Sequence, residues 1–411
     1  MSMVLTKPEQ VGLSSEALAR IDDHLRQRYL GPKKIAGALT LVARRGEAAY
    51  LSPLGMMDLE RSKPMAQDAI FRIYSMSKPI TSVALMMFYE RGYFQLNDPV
   101  DKFIPEWRNL QVYVSGDYPN FVTVPPERPM TMRDLMTHTS GLTYGFMAGN
   151  TGDAAVDAAY RQLGVGGAGG TLRDMVEKLA RLPLKFSPGT HWNYSVSTDV
   201  LGYLVEVFSG MRFDEYLRAK IFEPLGMVDT GFWVPSEKLE RFAANYRRRP
   251  DKTLEVADDP VSGTYSRQPT FFSGGGGLVS TASDYFRFCQ MLLNGGELDG
   301  VRILGPRTVR LMTMNHLPGG RDLRDLSVSS YSEIAEEGFG FGLGFSIHLG
   351  SAQSQIIGSA GEYAWGGAAS TIFWVDPVED LIVVFLTQFM PSGTFDFRGQ
   401  LKTIIYPAIV D

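Results

Sequence analysis

The segment IFRIYSMSKPITSVALMMFYERG, residues 70–92, changes from a strand pattern to a helix pattern within a few residues. Ile70 to Ile73 form a short, mostly apolar run, whereas Ser77 to Gly92 form a stretch rich in methionine and aliphatic residues that ends at a glycine. Between them stands Ser75-Met76-Ser77-Lys78, and no other lysine of the chain has a serine three residues before it. The segment therefore predicts a strand, a turn and a helix, with a serine and a lysine at the corner.

This S-x-x-K pattern suits nucleophilic chemistry. On a helix, residues i and i+3 share a face, so the Lys78 ammonium can lie beside the Ser75 hydroxyl. A serine alcohol is a weak nucleophile and needs an adjacent base or a positive field, and the amino end of a helix supplies such a field. Because the residue before a proline avoids the α region, Lys78 before Pro79 predicts an irregular or 3₁₀ first turn. The alternative is a chance match at a helix start.

Two further motifs weaken that alternative. Residues 192–197, Trp-Asn-Tyr-Ser-Val-Ser, lie between a Pro-Gly turn and a predicted helix, which places the Tyr194 phenol at the tip of a loop. A nearby ammonium favours the phenolate and makes it a useful base, although a packed aromatic is the alternative. Residues 364–371, with Gly366 and Gly367, are predicted to open a strand, where a backbone N–H can join an oxyanion hole; the alternative is a β-bulge.

The rest of the chain predicts an α/β fold. The periodicity indicates helices and strands at both chain ends and helices with Gly- and Pro-rich loops in the middle. We expect an antiparallel sheet flanked by helices, with residues 1–100 and 320–411 in one α/β domain and residues 101–319 in an inserted, mainly helical domain. The predicted elements are helices Ser14–Leu30, Leu172–Leu182, Asp199–Phe208, Phe213–Lys220, Asp284–Leu293 and Phe395–Ile409, and strands Ile35–Arg44, Ala48–Leu54, Gly342–His348, Gly367–Val375 and Leu381–Gln388.

Composition excludes several classes of protein. Of the 411 residues, 44% are hydrophobic and 21% charged, as in ordinary folded proteins. A net charge of −5 predicts no nucleic-acid partner, and the single cysteine, Cys289, excludes an internal disulfide and any paired-cysteine metal or redox motif. No apolar run approaches the roughly 20 residues of a membrane helix, and no secretory signal is readable at the N-terminus. We therefore expect a cytoplasmic protein without membrane contact.

Two familiar motifs do not apply. Residues 164–169 match G-x-G-x-x-G, but the preceding AAVDAAYRQL is helix-like, whereas dinucleotide binding requires a strand there. No serine has glycine at both −2 and +2, so the nucleophile elbow of α/β-hydrolases is absent and an ordinary Ser-His-Asp triad has no motif to support it.

Taken together in this order, the three site motifs resemble the serine β-lactamase-like superfamily, which includes class C β-lactamases, DD-peptidases and family VIII carboxylesterases. The resemblance covers nearly the whole chain. Three further stretches match the family: Leu135–Leu142 (LMTHTSGL), Pro224–Met227 (PLGM) and Ser273–Thr281 (SGGGGLVST). The fold implied is that of β-lactamases and transpeptidases.

The resemblance also implies roles for individual residues. Ser75 would be the acyl-accepting nucleophile, Lys78 the cation that keeps Tyr194 basic, and Tyr194 the general base. The N–H groups of Ser75 and Ala368 would form the oxyanion hole. His138 lies in a family motif but is interpreted as structural. Neither a metal nor an organic cofactor is implied.

Two departures from the family pattern indicate the substrate. The asparagine of the class C Tyr-x-Asn motif is replaced by Val196, whose side chain cannot form hydrogen bonds. The Lys-Thr-Gly motif, whose cation pairs with a substrate carboxylate, is replaced by Trp365-Gly366-Gly367, as in family VIII carboxylesterases. We therefore expect Trp365, Gly366, Gly367 and Val196 to line a pocket for a neutral, apolar group.

The predicted function is a serine carboxylesterase that hydrolyses short-chain carboxylic esters through an acyl-enzyme on Ser75. Its partner is a small-molecule ester, and no oligomeric state is assigned. The resemblance allows weak β-lactam hydrolysis as a side activity. The alternatives are a class C-like β-lactamase, a D-amino-acid peptidase or transesterase, and, last, a non-catalytic binding protein of the same fold.

Overall fold

The structure is a computed structural model that describes residues 3–146, 154–167, 169–328 and 337–411. Its α-helices are α1 Ser15–Leu25, α2 Ser77–Tyr89, α3 Met132–Met136, α4 Ala154–Leu163, α5 Leu172–Leu179, α6 Ser197–Ser209, α7 Phe213–Leu217, α8 Glu223–Leu225, α9 Ala282–Leu293, α10 Pro306–Met312, α11 Leu323–Leu326, α12 Ser351–Ser354 and α13 Phe397–Ile405. Its strands are β1 Gly37–Arg44, β2 Glu47–Asp58, β3 Lys63–Pro64, β4 Phe71–Arg72, β5 Val112–Ser115, β6 Val122–Val124, β7 Asn245–Arg248, β8 Leu254–Asp258, β9 Val279–Ser280, β10 Glu297–Leu298, β11 Val301–Arg302, β12 Phe339–Phe341, β13 Ser346–His348, β14 Tyr363–Gly367, β15 Thr371–Asp376, β16 Leu381–Thr387 and β17 Phe389–Met390.

An eight-stranded antiparallel sheet joins the two ends of the chain. Its strand order is β12-β13-β14-β15-β16-β1-β2-β3, so the N-terminal hairpin adds to the edge of the C-terminal strands. Leu41 of β1 lies opposite Val384 of β16 in an unbroken register. The predicted fold class, an antiparallel sheet built from both chain ends and flanked by helices, is confirmed. The division into two domains stays a prediction.

The alternation of side chains along the central strands explains the layers. In β16, Ile382 and Val384 face one hydrophobic core, while Val383 and Phe385 face the other. Helices α1 and α13 cover the second face, and α2, which packs on α6, belongs to the first. A strand buried on both sides is apolar throughout, which is why residues 381–386 form a continuous apolar run.

Helix α2 is the central helix of the first core. All its residues from Ser77 to Phe88 are buried, and the apolar side chains surround the helix rather than forming one stripe. A helix with this pattern is stable only inside the protein. Across the parts of the chain that the structure describes, no helix is long and apolar enough to cross a membrane.

Three of the predicted elements have different boundaries in the structure. The predicted helix Ser14–Leu30 is α-helical only over Ser15–Leu25 and continues as a π-helical turn, Arg26–Leu30. The predicted strand Gly342–His348 corresponds to β13 alone, with β12 lying before it. The predicted closing helix Phe395–Ile409 is α-helical over Phe397–Ile405.

The Trp-Gly-Gly motif ends a strand rather than opening one. Strand β14 ends at Gly367, and a turn reverses the chain before β15 begins at Thr371. In that turn the Ser370 N–H donates to Gly367 O at 2.9 Å, and Ser370 has a left-handed φ of 62°. The predicted strand Gly367–Val375 joins the end of β14 to β15, because both segments are rich in apolar residues.

The G-x-G-x-x-G stretch follows a helix, as predicted. Helix α4 ends at Leu163, and Gly164 has a φ of 60°, which suits the end of a helix. Residue 168 of the motif lies outside the described residues.

Candidate active site

Ser75 and Lys78 lie at the corner where β4 leads into α2. A 3₁₀ turn, Tyr74–Met76, separates the two elements, and Lys78 already belongs to the α-helix. The irregular turn therefore precedes Lys78 rather than including it. Pro79 fits in the first helical turn because an N–H there has no intrahelical acceptor. Tyr74, which precedes the serine, has a φ of 41°, a left-handed conformation uncommon for a non-glycine residue.

Lys78 connects three parts of the site. Its Nζ donates to Ser75 Oγ at 3.3 Å and to the Gly275 carbonyl oxygen at 2.6 Å. The same Nζ lies 4.3 Å from the centre of the Tyr194 ring. Lys78 is only 2% exposed, so its ammonium acts in a site with little water to screen it.

Tyr194 lies in the loop that leads into α6 and is buried. The Trp365 indole Nε1 donates to Tyr194 Oη at 3.3 Å, and the two rings lie 5.6 Å apart. The structure thus brings Ser75 and Lys78 of the first motif together with Tyr194 of the second. Their chemical roles stay predictions.

Ser75 and Tyr194 line one cavity of about 400 Å³. None of the described residues that line it carries a charged side chain, and aromatic and apolar groups form most of its wall. Tyr144 and Phe146 stack at 4.9 Å in that wall. The lining residues are Tyr74, Ser75, Tyr144, Phe146, Tyr194, Ser273, Gly275, Gly276, Ala368, Met390, Pro391 and Ser392.

The residues expected to line the pocket lie elsewhere. Trp365 is fully buried behind Tyr194, where its ring also packs edge-on against Phe341 at 5.2 Å. Val196 is buried at the start of α6, and its N–H donates to Thr143 O at 3.3 Å. Both positions are expected in the cavity because they replace the asparagine and the lysine of two family motifs, but in this chain their side chains belong to the hydrophobic core.

Gly366 and Gly367 also lie outside the cavity, packed against neighbouring elements. A Cβ on Gly366 would lie 3.2 Å from the Arg398 guanidinium. A Cβ on Gly367 would lie 2.4 Å from the Ile73 carbonyl oxygen. Gly367 therefore permits the close approach of β14 to the chain that leads into the nucleophile.

Ala368 does line the cavity, in the turn after β14. Its carbonyl oxygen accepts a hydrogen bond from the Ser392 N–H at 2.9 Å, which fastens the Met390–Ser392 loop beside it. Nothing in the sequence pattern after β16 distinguishes this loop from an ordinary surface turn, so the sequence does not predict its place in the cavity wall.

A buried carboxylate, which the sequence does not predict either, lies behind the cavity. Asp199 belongs to the first turn of α6, and its Oδ1 accepts from the Ser273 hydroxyl at 2.5 Å and the Gly275 N–H at 3.0 Å. Burial raises the pKa of Asp199, while the Ser273 hydroxyl and the charge of Lys78 act in the opposite direction.

His138 lies beside Tyr194 but outside the cavity. Its Nδ1 is 3.1 Å from Ser195 Oγ, and its ring centre is 5.0 Å from that of Tyr194. Burial, with a smaller effect of the Lys78 charge, lowers the pKa of His138 well below its ordinary value. The imidazole is therefore neutral and packs against the Tyr194 ring.

Comparison with known proteins identifies the family of this fold. The family model described as Beta-lactamase matches residues 22–403. The chain is 34% identical over 365 residues to Protein Rv1367c of Mycobacterium tuberculosis, covering 88% of each chain. It is 29% identical to Esterase EstB of Burkholderia gladioli, covering 100% of this chain and 99% of that one. A solved structure described as "EstCE1, a hydrolase with promiscuous acyltransferase activity" matches with a TM-score of 0.77 and 25% identity, covering 96% of this chain and 99% of that one.

Proposed function

The chain belongs to the beta-lactamase family, and on that premise we propose that it is a serine carboxylesterase that hydrolyses short-chain carboxylic esters. The observation that carries the proposal is the cavity itself. Ser75 and Tyr194 share its wall, Lys78 Nζ lies 3.3 Å from Ser75 Oγ, and none of the described residues that line the cavity has a charged side chain. The esterase relative that matches along the whole chain adds support.

The proposed reaction begins with acylation. The Tyr194 phenolate, favoured by the Lys78 ammonium, accepts the proton of Ser75 while Ser75 Oγ attacks the ester carbonyl carbon. The N–H groups of Ser75 and Ala368 stabilise the oxyanion that forms on the carbonyl oxygen. The tetrahedral intermediate collapses as the bond from carbon to the alkoxy oxygen breaks, and that oxygen takes the proton from Tyr194 and leaves as the alcohol.

Deacylation repeats these steps with water. Tyr194 removes a proton from the water, the resulting hydroxide attacks the acyl carbon, and the bond between that carbon and Ser75 Oγ breaks. The proton returns to Ser75 Oγ, and the carboxylic acid leaves. The sequence needs no co-reactant other than water.

The uncharged wall supports a neutral substrate. A β-lactam or a peptide C-terminus carries a carboxylate, which a site would recognise with a cation or a dense set of donors. The cavity wall offers neither an arginine nor a lysine side chain among the described residues that line it. Tyr144, Phe146, Met390 and Pro391 offer apolar surface instead, which suits the acyl or alcohol part of an ester.

Acyl transfer to an alcohol is the second candidate. It uses the same acyl-enzyme and differs only in the acceptor, and an apolar wall that favours an alcohol over water would promote it. The match to EstCE1, which is described as having promiscuous acyltransferase activity, supports this candidate. A β-lactamase or a D-amino-acid peptidase has less support because the described part of the wall carries no charged side chain. A non-catalytic binding protein would need neither Ser75 nor Lys78.

The test compares p-nitrophenyl butyrate with nitrocefin on the purified protein, with Ser75→Ala as the blank. We expect butyrate turnover far above nitrocefin turnover, and no turnover in Ser75→Ala at an unchanged melting temperature. Turnover retained in Ser75→Ala would refute the proposal that Ser75 is the nucleophile. Nitrocefin turnover faster than butyrate turnover would show that the protein is a β-lactamase. Butanol added as a competing acceptor distinguishes the two esterase candidates, because acyl transfer yields a butyl ester and hydrolysis yields the free acid.

A further inference from the structure

The turn formed by Ser273–Gly277 is fixed to α6 by a buried carboxylate. Asp199 is 3% exposed, and its Oδ1 accepts from both the Ser273 hydroxyl at 2.5 Å and the Gly275 N–H at 3.0 Å. A Cβ on Gly275 would lie 2.8 Å from Asp199 Oδ2, so only glycine lets the backbone approach the carboxylate this closely. The position of Gly275 therefore depends on Asp199.

Gly275 in turn fixes the ammonium of Lys78. Lys78 Nζ lies 2.6 Å from Gly275 O and 3.3 Å from Ser75 Oγ. The ammonium is the donor in both contacts, and the shorter hydrogen bond, to Gly275 O, is the stronger and so determines where the ammonium lies. The connection from Asp199 through Gly275 to Lys78 thus controls the distance between the ammonium and the nucleophile.

Asp199 and Lys78 are also coupled by charge. The Lys78 ammonium favours the ionised form of Asp199, against the effect of burial. Since a charge interaction is mutual, the carboxylate favours the ammonium form of Lys78 to the same degree. A buried cation is costly without a compensating anion, and Asp199 supplies one without entering the cavity wall.

We propose that Asp199 is a positioning residue for the acylation of Ser75: it holds the Gly275 carbonyl and, through it, the Lys78 ammonium, and its negative charge offsets that of Lys78. This inference rests on the function proposed above but concerns only the activation of Ser75. Asp199 is not among the described residues that line the cavity, so it would act through Gly275 and Lys78.

Two substitutions separate charge from geometry. Asp199→Asn keeps the size and an acceptor oxygen but removes the charge, whereas Asp199→Ala removes both. We expect about a tenfold loss of kcat for Asp199→Asn and about a hundredfold loss for Asp199→Ala, with little change in KM, because small displacements of catalytic groups have effects of this size.

The pH profile gives a readout that a merely structural role would not change. The carboxylate is faced by the Lys78 ammonium from α2 and by the Tyr144 hydroxyl. A Cβ added to Gly275 would lie 2.8 Å from both Tyr144 Oη and Asp199 Oδ2, so these two oxygens lie close to the same point. Removal of a negative charge favours the deprotonated form of neighbouring groups, including Tyr194 beyond Lys78. Both limbs of the kcat/KM profile should therefore move to lower pH in Asp199→Asn.

Asp284→Asn is a matched control. Asp284 is likewise a buried aspartate in the first turn of a helix, and it accepts from the Asp229 N–H at 2.7 Å and the Thr230 hydroxyl at 2.9 Å. Neither of these two hydrogen-bond partners lines the cavity. We expect a comparable change of melting temperature in the two variants, but wild-type kcat and pH limbs in Asp284→Asn.

The decisive measurement is the rate at which a fluorophosphonate modifies Ser75, followed by mass spectrometry, since it reports activation of Ser75 whatever the natural substrate is. Slower modification in Asp199→Asn than in wild type and in Asp284→Asn supports the inference. Equal rates in all three overturn it. Normal modification without ester turnover would overturn the proposed substrate class alone, and an unmodified wild-type Ser75 would overturn both.

Discussion

Replacement of Trp365 by phenylalanine tests whether this buried indole acts on the base or on the substrate. Its Nε1–H donates to Tyr194 Oη at 3.3 Å, and the side chain is fully buried. Phenylalanine keeps an aromatic ring in the same place and removes the donor. If Tyr194 works as a phenolate, the substitution destabilises the form that accepts the proton from Ser75.

The distance sets the expected magnitude. Hydrogen bonds to charged groups contribute about 1.5 to 3 kcal/mol. A separation of 3.3 Å exceeds the usual range for N–H···O bonds, so the lower value, about 1.5 kcal/mol, applies here. At about 1.4 kcal/mol per factor of ten, the phenolate becomes roughly tenfold scarcer at a given pH. The acid limb of the kcat/KM profile of Trp365→Phe should thus move about one pH unit higher.

The assay is hydrolysis of p-nitrophenyl butyrate followed from pH 5 to pH 9. Trp374→Phe is the control, because Trp374 is also fully buried, lies in the neighbouring strand β15, and its Nε1 has no hydrogen-bond partner among the described residues. Both variants should lose stability from the smaller ring, but only Trp365→Phe should move the acid limb. An acid limb at the wild-type position would refute the hydrogen-bond argument. If the ratio of the variant's KM to the wild-type KM changed with acyl length, Trp365 would contact the substrate.

Three further predictions concern other parts of the site. Tyr194→Phe should lower the acylation rate by several orders of magnitude in single-turnover measurements, and a loss below about tenfold would mean that another group is the base. Gly367→Ala should lower kcat at least tenfold, because its Cβ would lie 2.4 Å from Ile73 O. Gly366→Ala is the comparison and should lower kcat less, because the nearest atom to its Cβ would be 3.2 Å away. Because His138 is neutral in the fold and its pKa is lowered from 6.5, the unfolded chain binds the extra proton below that pH, so stability falls as the pH falls. Between pH 6.5 and 5.5, urea denaturation should show a loss of stability about 1 kcal/mol smaller in His138→Asn than in wild type. Asparagine is chosen because His138 has a left-handed φ of 57°, which asparagine tolerates.

The corner of the site could be predicted because its information is local. A change from a strand pattern to a helix pattern fixes where α2 begins, and the three-residue spacing then places Lys78 beside Ser75. Tyr194 could be assigned to a loop because a Pro-Gly turn and a helix start lie on either side of it. In each case neighbours in sequence determine the placement.

The pocket could not be predicted, because its wall depends on contacts between distant segments. Trp365 meets Tyr194 across 171 positions of sequence, and nothing near Trp365 shows whether its indole faces the substrate or the core. Asp199 presents the same difficulty. It and Asp284 are both acidic residues in the first turn of a helix, a placement that the helix dipole favours in any protein. Only the tertiary structure shows that one lies behind Lys78 and the other does not.

The exchange of the family's lysine motif for Trp-Gly-Gly therefore has a consequence beyond the loss of a charge. A lysine at the Trp365 position would put a cation beside the Tyr194 hydroxyl, whereas the indole supplies a single neutral donor and fills the core. With no cation from β14, the proposed base depends more heavily on Lys78, and Lys78 depends on the Gly275 carbonyl and the charge of Asp199. Under the proposed function, the same replacement would leave substrate recognition to Tyr144, Phe146 and the Met390–Ser392 loop, which line the cavity. Ser75, Tyr194 and Gly275 belong to the same wall, so the proposed activation of the nucleophile and the proposed recognition of the ester meet in one cavity, whereas Asp199 acts on Lys78 from behind it.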